Sequence, residues 1–126
     1  MYHFYFEKLE VWQASKDLVR RIYQLTSKFS ATDGFSLGDQ MRRAAMSVCA
    51  NISEGSARNT GKDKAHFTNL AYSSLMELYS FILICNDLEK LGNEDLNLLR
   101  TTIHKIANQL NSLRKAQVKF KTNRSV

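Results

Sequence analysis

From residue 96 onward, apolar side chains return at steps of three and four: Leu96, Leu99, Ile103, Ile106, Leu110, Leu113 and, past Gln117, Phe120. That spacing keeps one side of a long α-helix apolar at about 3.5 residues per turn, a heptad seam. A strand alternates every second residue, so no sheet accommodates the pattern. A helix with one apolar side needs partners to cover it, because isolated helices are marginal in water. The remaining sequence is suited to supply them. Proline is absent from the 126 residues and glycine occurs only 5 times, too few turn formers for a β-sandwich of this length. With 44% hydrophobic and 24% charged residues, the chain has the composition of a soluble globular protein with one core.

Periodicity predicts three further helices. The first covers about residues 7–29, where Val11, Leu18, Ile22, Leu25 and Phe29 form one stripe interrupted by Ser15. A second stripe through Leu9, Trp12, Val19, Tyr23 and Thr26 lies beside it, so this helix covers more than a narrow seam. The segment Ser30-Ala31-Thr32-Asp33-Gly34 reads as its stop, with Gly34 free to take positive φ. The second helix, about 36–57, turns Leu37, Met41, Ala44, Ala45, Val48, Cys49 and Ile52 inward. The third, about 62–91, is the most apolar and reads as closed by Gly92 and Asn93. The fourth covers about 94–118. Short links between helices of this length predict an all-α, antiparallel up-down-up-down four-helix bundle. Residues 1–120 form its single domain, and 121–126 a basic C-terminal tail.

Charge is distributed unevenly. The formal net charge is +6, yet residues 96–126 alone carry +7, with Arg100, Lys105, Arg114, Lys115, Lys119, Lys121 and Arg124 and no carboxylate. Such asymmetry points to a polyanionic partner, either nucleic acid or an acidic protein surface. Glu7, Lys8 and Glu10 stand where a signal peptide would be apolar, and no run approaches the length needed to span a bilayer. The expected compartment is the cytoplasm, with no membrane contact. Cys49 and Cys85 have no metal-like spacing and read as small core residues.

Convergent catalytic groups are hard to find. His3, His66 and His104 lie in three different segments, and no Glu-x-x-His pair, zinc motif or phosphate loop occurs. A non-enzymatic protein without cofactor or metal is expected. The most informative stretch is Leu37 to Gly55, whose polar residues do not form a simple solvent face. Pairing helices two and three across the loop near Asn59 brings Arg43 level with Ser74 and Glu77. A buried arginine there needs a carboxylate. The pairing is open to two readings, an internal ion pair holding register or a contact between subunits.

This stretch carries a resemblance. Leu37, Gln40, Arg42, Arg43, Ala44, Ala45, Ser47, Asn51, Ile52, Glu54 and Gly55 follow an L-x-x-Q-x-R-R-A-A-x-S-x-x-x-N-I-x-E-G pattern. Ser74, Glu77 and Leu78 supply a later S-x-x-E-L element, and Phe6 to Trp12 the approach to helix one. Over roughly residues 4–115 the chain resembles the bacterial four-helix-bundle family encoded within 23S rRNA intervening sequences, also labelled S23 ribosomal protein. It departs in the Ser30–Gly34 loop, where members often have proline and an acidic residue, and at Ser53, often alanine. The resemblance implies a ring-like homopentamer. It extends to retroelement accessory proteins, basic pentamers that bind nucleic acid and a reverse transcriptase. The ribosomal label reflects gene location and does not establish ribosome binding.

Two functions follow as expectations. One is an oligomer that binds structured RNA, or DNA, through phosphate contacts from Arg100, Lys105, Arg114, Lys115, Lys119 and Lys121, extended by Arg20, Arg21, Arg42 and Arg58. The other is a scaffold for an acidic protein such as a reverse transcriptase. Gln40, Arg43, Asn51, Glu54, Gly55, Ser74 and Glu77 are expected in structural or subunit contacts. Most aromatics fall on inward stripes, so stacking platforms for unpaired bases are not expected.

Overall fold

A computed structural model describes residues 2–120. Among these residues there is no strand, and four long helices form the body: α1 (Glu10–Thr26), α2 (Asp39–Ser56), α3 (Gly61–Asp87) and α4 (Asn93–Val118). A 3-10 turn, Tyr5–Lys8, precedes α1, and the helical turns Ala31–Asp33 and Gly34–Gly38 lead into α2. Among the described residues no helix is long and apolar enough to cross a membrane.

The core is built by the expected stripes. Leu18 and Ile22 of α1, Met41, Ala45 and Val48 of α2, Leu75, Leu78 and Ile82 of α3, and Ile106 and Leu110 of α4 are fully buried. Alanines on α2 let α3 come close. The Met41 sulfur meets the Cys85 thiol at 3.6 Å, and the hydroxyls of Ser47 and Ser74 hydrogen-bond at 2.8 Å. Gly55 lies against Phe67 and the Lys64 carbonyl. α4 then packs along α3. There the Thr68 hydroxyl donates to Gln117 at 2.5 Å, so the single polar position in the heptad seam is buried and satisfied.

Several boundaries differ from those expected. α1 begins at Glu10, because residues 5–8 take the tighter 3-10 form and Leu9 is extended. It stops at Thr26, after which Lys28 and Phe29 bond back only three residues. The Ser30–Gly34 segment is a helix start rather than a stop. The Ser30 hydroxyl accepts from the Asp33 N–H at 3.2 Å, and Gly34 is helical with φ −62°. α3 ends at Asp87, four residues early. The left-handed residue that turns the chain is Glu89 (φ 58°), while Gly92 is the extended cap of α4. Lys90 pairs with Asp33 at 2.7 Å across this end, and that hydrogen bond holds the Asp33 carboxyl below its usual range.

The stripes also fray. Tyr23, Leu70, Leu88 and Phe120 are exposed, and Cys49 and Leu113 only half-buried. The heptad seam therefore seals from Leu96 to Leu110, opens at Leu113 and closes again at Gln117, and Phe120 lies past the helix end at Val118.

Two glycines test this packing. A Cβ on Gly61 would collide with the backbone carbonyls of Gln117 and Phe120, whereas one on Gly34 meets open space. Gly61→Ala is expected to lower unfolding free energy by about 1–3 kcal/mol, since backbone must shift. Gly34→Ala, in a helical conformation, should raise it by roughly 0.4–1 kcal/mol. Urea titration of both variants measures the contrast.

Candidate nucleic-acid interface

The basic residues of α4 divide into two groups. At about 100° per residue, Lys105, Lys115 and Lys119 fall within an arc of about 80° facing away from the core, and all three are exposed. Arg100 and Arg114 sit beside the seam instead. The Arg100 guanidinium donates to the Tyr79 hydroxyl at 3.0 Å, and Arg114 is half-buried. None of these five has a carboxylate within ion-pair distance among the described residues. Lys121 lies outside the described residues.

The cations of other helices are less uniform. Arg58 joins α4, because α3 starts where α4 ends. Gly61 abuts the carbonyls of Gln117 and Phe120, and the Lys64 ammonium stands 4.9 Å from the Phe120 ring centre. Arg58, Lys62 and Lys64 therefore gather at the same end of the molecule as Lys115 and Lys119. Arg58 is partly neutralised by Glu54 at 3.2 Å and lies over the Phe67 ring. Lys62 and Lys64 are absent from the sequence-based set. Their clue was the short loop at Asn59, which fixes the start of α3 at this end.

Arg20, Arg21 and Arg42 do not extend the patch. Arg20 on α1 stands 3.8 Å from Asp17. Arg21 is half-buried and shares a small cleft with Lys28 and Asp95. Arg42 is a structural clamp. Its guanidinium donates to the Thr26 hydroxyl at 2.9 Å and the Gly34 carbonyl at 2.8 Å, tying the end of α1 to the approach to α2. The opposite end of the molecule is mixed in charge, with Asp33, Asp39, Asp87, Glu89, Glu94 and Asp95 standing among Lys28, Arg42, Arg43 and Lys90.

The chain matches the family described as 23S rRNA-intervening sequence protein over residues 7–112. It belongs to that family. A crystal structure from Bacteroides thetaiotaomicron, titled a protein with unknown function from the S23 ribosomal protein family, has the same fold. It superposes with a TM-score of 0.77 at 22% identity, covering 83% of this chain and 98% of that one. No curated protein matches the sequence. The match to the 23S rRNA-intervening sequence family ends before Arg114, Lys115 and Lys119, so part of the basic end lies beyond the family's shared span.

The polar residues shared with the family pattern behave differently from expectation. Arg43 does not reach Ser74 or Glu77. It is exposed and pairs with Asp39 one turn back at 3.1 Å, and Glu77 is exposed too, in no ion pair among the described residues. Ser47, smaller and one turn on, occupies the level of Ser74 instead. Asn51 supports that contact by donating to the Ser47 carbonyl at 2.9 Å and hydroxyl at 3.1 Å. Gln40 is exposed, and Gly55 is buried where α2 meets α3. Among the described residues no ion pair joins α2 to α3.

Nucleophilic chemistry has little support at the thiols. Burial pushes the Cys49 thiol up to about 11, against a weak opposing pull from Lys16, and Cys85 is fully buried and also raised by burial. His3, His66 and His104 are exposed and separate. Among the described residues no three His, Cys, Asp or Glu side chains are grouped to hold a metal ion. An aromatic disulfide reagent at pH 8 is expected to react with native Cys49 roughly a hundredfold more slowly than with the urea-unfolded chain. A rate equal to that of the unfolded chain would show Cys49 to be an accessible, ordinary thiol.

Proposed function

We propose that this chain is a non-enzymatic nucleic-acid-binding protein that contacts phosphates of structured RNA through the basic end formed by α4 and the start of α3. The observation that carries the reading is a group of lysines in no ion pair among the described residues. Lys115 and Lys119 stand at the end of α4 and Lys62 and Lys64 at the start of α3, with Asp63 between the last two. Lys105 lies further back, at mid-helix on the outward face of α4. Charges left unneutralised at one end create a field that attracts a polyanion and steers its approach. Contacts of this kind position a protein on a backbone without reading bases.

The helices are arranged up-down-up-down and antiparallel. Support comes from paired contacts that run in opposite order along α2 and α3: Met41 with Cys85, Ser47 with Ser74, Gly55 with Phe67. The bundle forms a ring-like homo-oligomer, five subunits being the number implied by the family resemblance. Exposed Tyr23, Met46, Leu70, Leu83 and Ile84 offer apolar surface for such contacts, and a cyclic assembly would cover one patch on every subunit. It would also repeat the basic end around the ring.

The test is a variant with Arg114, Lys115, Lys119 and Lys121 all changed to glutamine. RNA affinity is expected to fall for all sequences alike. The slope of log affinity against log salt should flatten by about one for each phosphate that the variant no longer neutralises. Helicity and the oligomeric mass from light scattering should stay unchanged. Unaltered RNA affinity with the fold intact would remove this reading and favour an acidic protein partner on the same surface.

A further inference from the structure

Beside the basic end lies a pocket of about 430 Å³, walled by Tyr5, Leu9, Leu113, Ala116 and Phe120, with Lys64 as its one charged lining residue among those described. That volume is within the range of small-molecule sites. Two of its walls are aromatic and open to solvent: Tyr5 is 67% and Phe120 46% exposed. The heptad spacing of α4 predicts an inward Phe120, but the helix ends at Val118 and leaves the ring at the pocket rim. Lys64 donates to the Ser56 carbonyl at 3.0 Å and stands 4.9 Å from the Phe120 ring centre. An ammonium has three donors, so the site keeps hydrogen-bonding capacity for an oxygen. No carboxylate of the described residues lines the pocket.

We infer that this pocket seats one unpaired nucleobase, with Tyr5 and Phe120 as stacking walls and Lys64 donating to an oxygen of the same nucleotide. The inference rests on the reading of the basic end as a nucleic-acid surface and deepens it. Lys119, next in the chain to the lining residue Phe120, would hold a flanking phosphate. Charge complementarity selects the occupant: an apolar slot with aromatic walls and a cation fits a flat, anionic nucleotide better than a neutral side chain. A base held in a duplex cannot reach the slot, so the site favours single strands, loops or ends over blunt helices. Stacking on aromatic side chains is tolerant of sequence, and the same holds here.

Fluorescence anisotropy separates the pocket from the charged surface. The probes are a mixed-sequence 12-nucleotide single-stranded RNA and a blunt duplex of the same strand, each titrated with the full-length protein. A Tyr5→Ala, Phe120→Leu variant keeps an apolar wall but removes both rings, and its thermal melt confirms folding. Single-strand affinity is expected to fall roughly five- to a hundredfold, with duplex affinity within about twofold and both salt slopes unchanged. Equal affinities of wild type and variant for the single strand would overturn the pocket while leaving the basic end in place, as would an equal loss on both probes. Failure of the wild type to bind either probe would overturn both. Should the double variant not fold, Phe120→Tyr, which keeps a ring, and Phe120→Leu, which does not, are compared instead. The first is expected to retain single-strand affinity and the second to lose it, and equal affinities of the two would again overturn the pocket.

Discussion

Close approach of α3 to both of its neighbours is the constraint from which the rest of the structure follows. Two glycines permit it. Gly55 allows the last turn of α2 to rest on Phe67 and the Lys64 backbone, and Gly61 lets α3 begin directly against the final carbonyls of α4. Any side chain at Gly61 would have to displace backbone, which is costly because interiors are packed like crystals. With these two contacts in place, the apolar seams of α2, α3 and α4 meet along their lengths. α1 then covers the remaining side through Leu18, Ile22 and Leu25. The same contacts determine which charges are neighbours. Lys62 and Lys64 stand near Lys119 because Gly61 stands against Gln117 and Phe120.

The helices were legible in the sequence because their signal is a period, and a period survives small errors of position. Leu96 to Leu110 is buried as the heptad spacing predicts. What the period does not carry is the depth of each contact. Leu70, Leu88 and Phe120 fit their stripes but are exposed, since a stripe is buried only where a neighbour lies over it. Gln117 breaks the seam in sequence and joins it in space, because Thr68 supplies the hydrogen bond that makes burial tolerable. Glu89 is a different case. Left-handed backbone favours glycine or asparagine, so Gly92 and Asn93 place the expected helix end four residues too far.

The candidate site was legible in part. A run of cations without carboxylates in the last quarter of the chain is visible by inspection, and it locates the α4 half of the basic end. The other half depends on which end of α3 meets it, a question of topology that charge counting alone does not answer. Arg42 shows the opposite error. As a formal charge it is equivalent to Lys119, yet its guanidinium is committed to Thr26 and Gly34 and serves the joint between α1 and α2. Arg43 was expected inside and is outside, because Asp39 lies one turn away and an exposed pair of that kind costs little to form.

A structural purpose for the lysines at the end of α4 must be weighed against the functional one. Helix C-termini carry roughly half a negative charge, and cations there are favoured by about 0.3–1 kcal/mol. That effect covers both Lys115, in the last turn, and Lys119, at the C-cap. It does not account for Lys62 and Lys64, which belong to the first turn of the neighbouring helix. Moreover, the carbonyls of Gln117 and Phe120 face the first residue of α3, where the partial charge is positive and already offsets the α4 dipole. Adding cations next to an N-terminus is unfavourable for the helix that begins there. Lys62 and Lys64 are therefore placed against the α3 dipole, with Asp63 between them offsetting part of their charge, so helix electrostatics explains the lysines of α4 but not those of α3.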